Sequence, residues 1–400
     1  MNNKLLVIIG VVFISLAVSF CRSNDNQAKS PEIHSLDNVE IIVDVQKKDS
    51  INLSSIVSDV SFLRLDSANE TAFEKIDQLD YDDSHYFVLD KDYAKKVLVF
   101  DSKGKLIAES KAGREQTPIA FSLDKINKQI VIAYKNQRVC KYDYHLNLLK
   151  QDSLYLFFNS FAYSPADSTI LFNLSKMINF NSDDLKFGNK NEITFELLAY
   201  NKNKNVRNLY LPFDLDRFPQ GAIYVTISRS FYNYNDTILY IKPLDNTIFG
   251  WNINSQKLNA RYSVYFENSK ILKNIDQLSG QSFFDFLKSD TSVNYSFLIK
   301  DVIESDRFLY FNFFRGNELL THIYLKSNRG KLSGRLVNDL YQIPIYISDK
   351  IENNFISIIY PRDVGEYYRK NLNTATKELR NLVSSVSNNK PIVCLQNSKI

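Results

Sequence analysis

From residue 39 onward the chain alternates short apolar runs with polar turns rich in Asn, Asp and Lys. The stretch "HYFVLDKDYAKKVLVFDSKGKLIAES" predicts strands at Tyr86–Leu89, Val97–Phe100 and Lys105–Glu109, divided by the turn signals "DKDYAKK" and "DSKG". The stretch "KQIVIAYKNQRVCKYDYHLNLLKQ" returns the same order with turns "KNQ" and "DYHLN". The acid that closes the second strand is Asp101 in one copy and Asp143 in the other, 42 residues later. With a strand ahead of each unit, this is a four-stranded repeat at the period of a propeller blade.

Looser copies follow. "NSFAYSPADSTILFNLSK" with "TFELLAYNKNKNVRNLYL" keeps the order with a longer insertion. Ile238–Ile241, Thr247–Trp251 and Ala260–Tyr265 form another unit, and "FLIKDVIESDRFLYFNFFRGNELLTHIYLKSNRGKLSGRL" a fifth. Phe355–Tyr360 and Ile392–Gln396 belong to a sixth. The spacing permits six to eight blades. Val39–Val45 has no hairpin partner nearby and is expected to join the last blade and close the ring, which removes an open sheet edge. The expected fold class is all-β, a propeller of four-stranded antiparallel blades over residues 39–400 as a single domain.

Two segments break the strand pattern. Residues 269–295 contain "SFFDFLKS", read as a short helical insert. Residues 366–387 place Leu372, Ala375, Leu379, Leu382 and Val386 on one stripe at helical spacing, which predicts an amphipathic helix packed on the sheets.

The N-terminus is of another kind. Lys4 precedes an apolar run from Leu5 to Phe20, shorter than the roughly 20 residues that span a bilayer core, so residues 1–20 read as an export signal. The run ends at Cys21, where a bacterial lipoprotein signal places its acylated cysteine. Phe20 stands where that signal has a small residue, and an ordinary signal peptide with a chance cysteine is the alternative. Residues 21–38 are polar and read as a flexible tether. Acyl chains on Cys21 would then hold the protein to a membrane, each methylene adding about 0.8 kcal/mol. The expected location is the cell envelope, at the outer membrane, with periplasmic and surface-facing placement both open.

Composition narrows the chemistry. The net charge is +4 with Lys and Arg dispersed, which lacks the clustered basic face of a nucleic-acid binder. Cys140 and Cys394 sit in apolar strand patterns and read as buried free thiols, with a disulfide between them as the alternative. High Tyr and Phe with only 11 Gly fit many strands joined by Asn/Asp turns.

"VSFLRLDS", "HYFVLDKDYAKKVLVFDSKGKLIAES", "DTILYIKPLDNTIFGWN" and "IESDRFLYFNFF", in this order, resemble the six-bladed β-propeller lipoproteins of Bacteroidetes. The resemblance spans residues 39–398 and implies six NHL-like blades and a lipid anchor. Family members carry a turn like G-x-G-P-G-E-Y after the first blade. Here "KAGREQTPIA" keeps only Gly113 and Pro118, so no function tied to that turn is carried over.

Catalytic signatures are absent. His34, His85, His145 and His322 have no partner at metal-ligand spacing, so neither a metal nor a cofactor is expected. No G-x-S-x-G elbow, Walker loop or G-x-G-x-x-G occurs. The acid pairs Asp82–Asp83 and Asp183–Asp184 read as solvated turns. A propeller channel can still gather distant carboxylates into the pair that a glycosidase needs. "SRSFYNYND" offers Arg229, Tyr232 and Tyr234, and "FFRGNE" offers Arg315, as ligand-binding candidates. The structural alternative for them is an ordinary exposed loop or an ion pair between blades. The expected function is a lipid-anchored envelope module that binds a protein or glycan partner and no nucleic acid. The alternative is a propeller enzyme, a hydrolase or lyase, acting on an extracellular polysaccharide.

Overall fold

The computed structural model describes residues 38–400 apart from 47–48, 67–72, 112–116, 136, 155, 175–192, 202, 204–205, 215–228, 243, 270–279, 342, 371–379 and 381–389. Cys21, the export signal, residues 21–37 of the tether, Asp183–Asp184 and the helical stripe from Leu372 to Val386 lie outside the described residues.

Six antiparallel sheets form a six-bladed β-propeller. Each begins with an inner strand on the central channel. Blade 1 holds β4 (Gln78–Asp82), β5 (His85–Asp90), β6 (Lys96–Asp101) and β7 (Leu106–Glu109). Blade 2 holds β8 (Pro118–Asp124), β9 (Gln129–Tyr134), β10 (Arg138–Asp143) and β11 (Leu148–Ser153). Blade 3 holds β12 (Phe158–Ser164), β13 (Thr169–Leu174), β14 (Ile193–Asn201) and β15 (Val206–Asp214). Blade 4 runs through β16 (Phe231–Tyr234), β17 (Thr237–Ile241), β18 (Thr247–Asn252) and β19 (Lys257–Glu267). Blade 5 runs through β20 (Ser296–Glu304), β21 (Phe308–Arg315), β22 (Glu318–Leu325) and β23 (Lys331–Val337). Blade 6 takes β24 (Ile347–Ile351), β25 (Asn354–Ile359) and β26 (Ile392–Ser398) from the end of the chain.

The apolar runs are unbroken because both faces of a blade are covered. In β5, Phe87 and Leu89 pack towards blade 2 with Phe121 and Ile132, while Tyr86 and Val88 pack towards blade 6 with Ile356 and Val393. Six such cores, one per junction, hold the ring together. Burying each large apolar side chain contributes about 1.5–3 kcal/mol. The repeated acid has a local task as well. Asp101 Oδ1 accepts from the N–H groups of Lys103 and Lys105, both at 2.9 Å, and Asp143 Oδ1 from those of His145 and Asn147, both at 2.9 Å. The same Asp-centred turn thus joins the third and fourth strands of blades 1 and 2.

The ring is not closed by Val39–Val45. That segment forms β1 (Val39–Asp44), a fifth strand parallel to β19 on the rim of blade 4. β2 (Ser50–Asn52) lies parallel to β23 on the rim of blade 5. Closure falls to β3 (Val57–Arg64), which pairs antiparallel with β26 as the fourth strand of blade 6. The segment is therefore a belt over three consecutive rims, and Asp66 carries it on to Lys105 of blade 1. Its inward side chains Ile41, Val43, Ile51, Leu53 and Ile56 are buried in the cores of blades 4–5 and 5–6, which explains the apolar pattern of a segment without a hairpin partner. Two glycines let it approach. A Cβ on Gly334 would lie 1.9 Å from the carbonyl oxygen of Asp49, and one on Gly104 (φ +82°) 2.0 Å from that of Arg64.

The helical insert appears as the helix Gly280–Lys288 between blades 4 and 5, and a helix Pro361–Lys370 links β25 to the chain before β26. Among the described residues no helix is long and apolar enough to cross a membrane. Cys140 and Cys394 are buried, free thiols in blades 2 and 6.

Candidate functional site

The turns joining first to second strands lie on one face of the ring and surround one mouth of the channel. A cavity of roughly 340 Å3 opens there, bordered by β16, β20, β24 and their following turns. Its lining is mostly polar and includes Asp80, Arg229, Asn233, Tyr234, Asp349 and Lys350. A smaller chamber of roughly 30 Å3, room for about one water molecule, lies beyond it and shares Asp80, Arg229 and Asn233.

Arg229 divides the two spaces. It stands just before β16 and reaches from blade 4 to blade 6, where its Nη1 donates to Asp349 Oδ2. Its Nε donates to the carbonyl of Phe231 at 3.0 Å, which fixes the direction of the guanidinium. Burial works against its charge, but the carboxylates of Asp349 and Asp80 outweigh that and hold it more firmly protonated than usual. Burial lifts the Asp349 carboxyl above the usual range, with Asp80 adding to the effect and Arg229 opposing it. Solvent still reaches 22% of the Arg229 side chain and 17% of that of Asp349, so the pair sits at a wet floor rather than in a sealed core.

Tyr232 lies beneath the guanidinium, whose carbon is 5.0 Å from the ring centre. Its hydroxyl donates to the Arg229 carbonyl at 3.2 Å and accepts the Asp301 N–H at 3.1 Å. Burial and then the charge of Asp301 raise its pKa well above the ordinary phenol value, so it is a neutral brace. Asp301 sits in the left-handed region (φ +52°) within the second of two register shifts in β20. Burial raises its carboxyl, which Lys300 at 3.2 Å and Asn312 at 3.1 Å partly offset.

Tyr234 borders the mouth. Its hydroxyl donates to Asp306 at 2.6 Å, and burial followed by that bond pushes its pKa up to about 12. Two cations stack on its ring, Lys326 at 4.7 Å and Arg261 at 5.5 Å. Both converge on the fully buried carboxylate of Glu304, with Arg261 donating at 2.9 and 2.7 Å, Lys326 at 2.7 Å and the Tyr262 hydroxyl at 2.6 Å. This is a structural lock between blades 4 and 5.

Of the four sequence candidates, Arg229, Tyr232 and Tyr234 thus meet at one cavity. Arg315 is elsewhere. Its Nη1 donates to the Val45 carbonyl and its Nε to that of Val293 at 3.0 Å, so it pins the belt. The turn acids are also spoken for, since Asp82 accepts from Tyr144 at 2.6 Å and Asp83 pairs with Lys128 at 2.5 Å. No group of three or more metal-type ligands occurs among the described residues. Sequence reading missed Asp80, Asp349, Lys350 and Glu352. The available signal was an acid inside an inner-strand pattern, in "QLDYD" and "ISDKI".

Comparison with known proteins gives a family and a fold. The family described as "Domain of unknown function (DUF4934)" matches residues 36–395, and the chain belongs to it. No curated protein matches. The crystal structure of a candidate exported protein from Bacteroides fragilis superposes with a TM-score of 0.69 at 16% identity, covering 90% of this chain and 99% of that one. At that identity the likeness concerns the fold. The structure of U3-55K aligns with a TM-score of 0.38 at 11% identity over 76% of this chain and 78% of that one, which carries no argument.

Proposed function

We propose that this member of the DUF4934 family is an exported, lipid-anchored propeller of the cell envelope that binds a protein or glycan partner at the channel mouth. The observation that carries the reading is the polar cavity of roughly 340 Å3 floored by the Arg229–Asp349 pair. A preformed concavity with a few fixed polar groups is the usual form of a ligand site. The titratable groups on its floor and at Tyr234 are already engaged: Tyr232 and Tyr234 donate to fixed acceptors, and Asp349 is paired with Arg229. That arrangement suits recognition better than proton transfer. The apolar run ending at Cys21 supports export and acylation, and the likeness to the exported B. fragilis protein supports export.

The enzyme reading keeps one observation in its favour, the carboxylates of Asp80 and Asp349 on a single cavity. A hydrolase acting there would require both.

The test is capture from solubilised envelope with the intact chain, a Cys21→Ala control and an Asn233→Trp chain whose new ring fills the cavity. The reading expects a stoichiometric partner that Asn233→Trp loses. It expects palmitate labelling that Cys21→Ala abolishes. A partner indifferent to Asn233→Trp contradicts the site. Polysaccharide turnover abolished by Asp80→Asn or Asp349→Asn would replace binding with catalysis.

A further inference from the structure

The cavity lining says what kind of ligand its floor and rim can satisfy. Lys350 and Glu352 stand two residues apart at the end of β24, both on the cavity. They do not pair with each other, and neither has an ion-pair partner within 4 Å among the described residues. The Lys350 ammonium lies 5.4 Å over the Phe308 ring, and burial together with the nearby Arg307 charge lowers its pKa. Glu352 is an exposed carboxylate held in a left-handed turn (φ +52°). At the floor, one amino nitrogen of Arg229 has no partner among the described residues, because the structure engages only Nε and Nη1. Oδ1 of Asp80 takes the Tyr81 N–H at 2.8 Å and the Lys125 ammonium at 3.6 Å, while no partner of its Oδ2 is seen among the described residues.

Charges of both signs therefore remain open around one space. A purely anionic ligand would meet Asp80, Glu352 and Asp306, and a purely cationic one Lys125, Arg229 and Lys350. A neutral ligand would cover these groups without returning the interactions they lose with water. The usual platform for a neutral ring is missing too. Both cations on the Tyr234 ring belong to the Glu304 lock, and Tyr232 is buried under Arg229.

We propose that the cavity takes a short zwitterionic peptide of the envelope whose two termini are both free. Its ammonium faces the Asp80 and Glu352 carboxylates, and its carboxylate faces Lys350 and the open edge of Arg229. The proposal rests on the binding reading above and names its ligand class.

Calorimetric titration of the full chain in detergent tests it, with tri-alanine as the probe. Its N-acetyl and C-amide forms, and neutral maltose, are the comparisons. Saturable binding of tri-alanine is expected, weakened at least tenfold by either cap. Glu352→Gln should weaken tri-alanine tenfold yet leave N-acetyl tri-alanine unchanged. Lys350→Met should act in the same way with respect to the amide. Both residues lie at the rim and outside the blade cores, so the fold is kept. Absence of saturable tri-alanine binding, or equal binding of the capped forms, overturns the proposal. Maltose binding that Asn233→Trp removes would overturn the ligand class while leaving the site. An envelope partner whose affinity ignores Asn233→Trp would remove the site itself.

Discussion

Arg229 of blade 4 and Asp349 of blade 6 meet inside the channel, joining two blades that are not neighbours in the ring. Blade 6 is the blade assembled from both ends of the chain. The pair is thus a floor for the cavity and a brace across the closure.

Removing either partner leaves the other charge in a partly dry channel. Arg229→Met or Asp349→Asn should each cost about 1–3 kcal/mol, below the value for full burial because solvent reaches both side chains. The double variant should cost less than the two singles added together. Urea midpoints with an unchanged slope measure this.

The belt makes a sharper demand at Gly104. An alanine there combines φ +82° with a Cβ 2.0 Å from the Arg64 carbonyl oxygen. Gly104→Ala should destabilise by about 2–4 kcal/mol. Gly365, in the helix Pro361–Lys370, would place a Cβ with none of the described residues within 4 Å, so Gly365→Ala should stabilise by about 0.5–1 kcal/mol. The opposite signs, read in one denaturation series, separate close approach from a general intolerance of alanine.

His322 sets a pH dependence. It is buried in β22 against Phe311, with Nδ1 bonded to Ser333 at 2.7 Å, and burial followed by the charge of Lys331 lowers its pKa from 6.5 to about 3. Between those values the unfolded chain binds a proton that the folded chain refuses. Stability is therefore full above pH 6.5 and falls as pH drops towards 3. The contribution approaches about 1.4 kcal/mol per pH unit within that window. Comparing His322→Gln with the native chain at pH 7 and pH 5 checks it: the native chain should lose more.

Arg315 pins the belt rather than a ligand. Arg315→Ala should speed amide exchange in β1 and β2 about tenfold, the effect of losing one charged hydrogen bond. Exchange in β3 should hold, because its ladder with β26 does not involve Arg315. Ligand binding should be unchanged, which separates this role from the one expected from its loop.

The blades were legible because each inner hairpin is covered on both sides. "HYFVLD" and "QIVIAY" show it in unbroken apolar runs, and Asp101 and Asp143 mark the register of the copies. The belt was legible as strand but not as to partner. Alternation in "VEIIVD" reports one buried face and cannot say whether blade 4 or blade 6 provides the cover. The cavity was half legible. Arg229, Tyr232 and Tyr234 cluster locally, but Arg229 and Asp349 are 120 residues apart, and only closing the ring brings them together. Arg315 misled because a blade-end arginine looks the same whether it faces a ligand or a neighbouring carbonyl.

The most direct test of the proposed binding site is hydrogen exchange of the intact chain with and without an envelope partner captured by it. The account predicts slowed exchange confined to the turns around the cavity, at Asn233–Asn235, Glu304–Asp306 and Asp349–Glu352. Protection on the belt or the outer strands, with those turns unchanged, would contradict it.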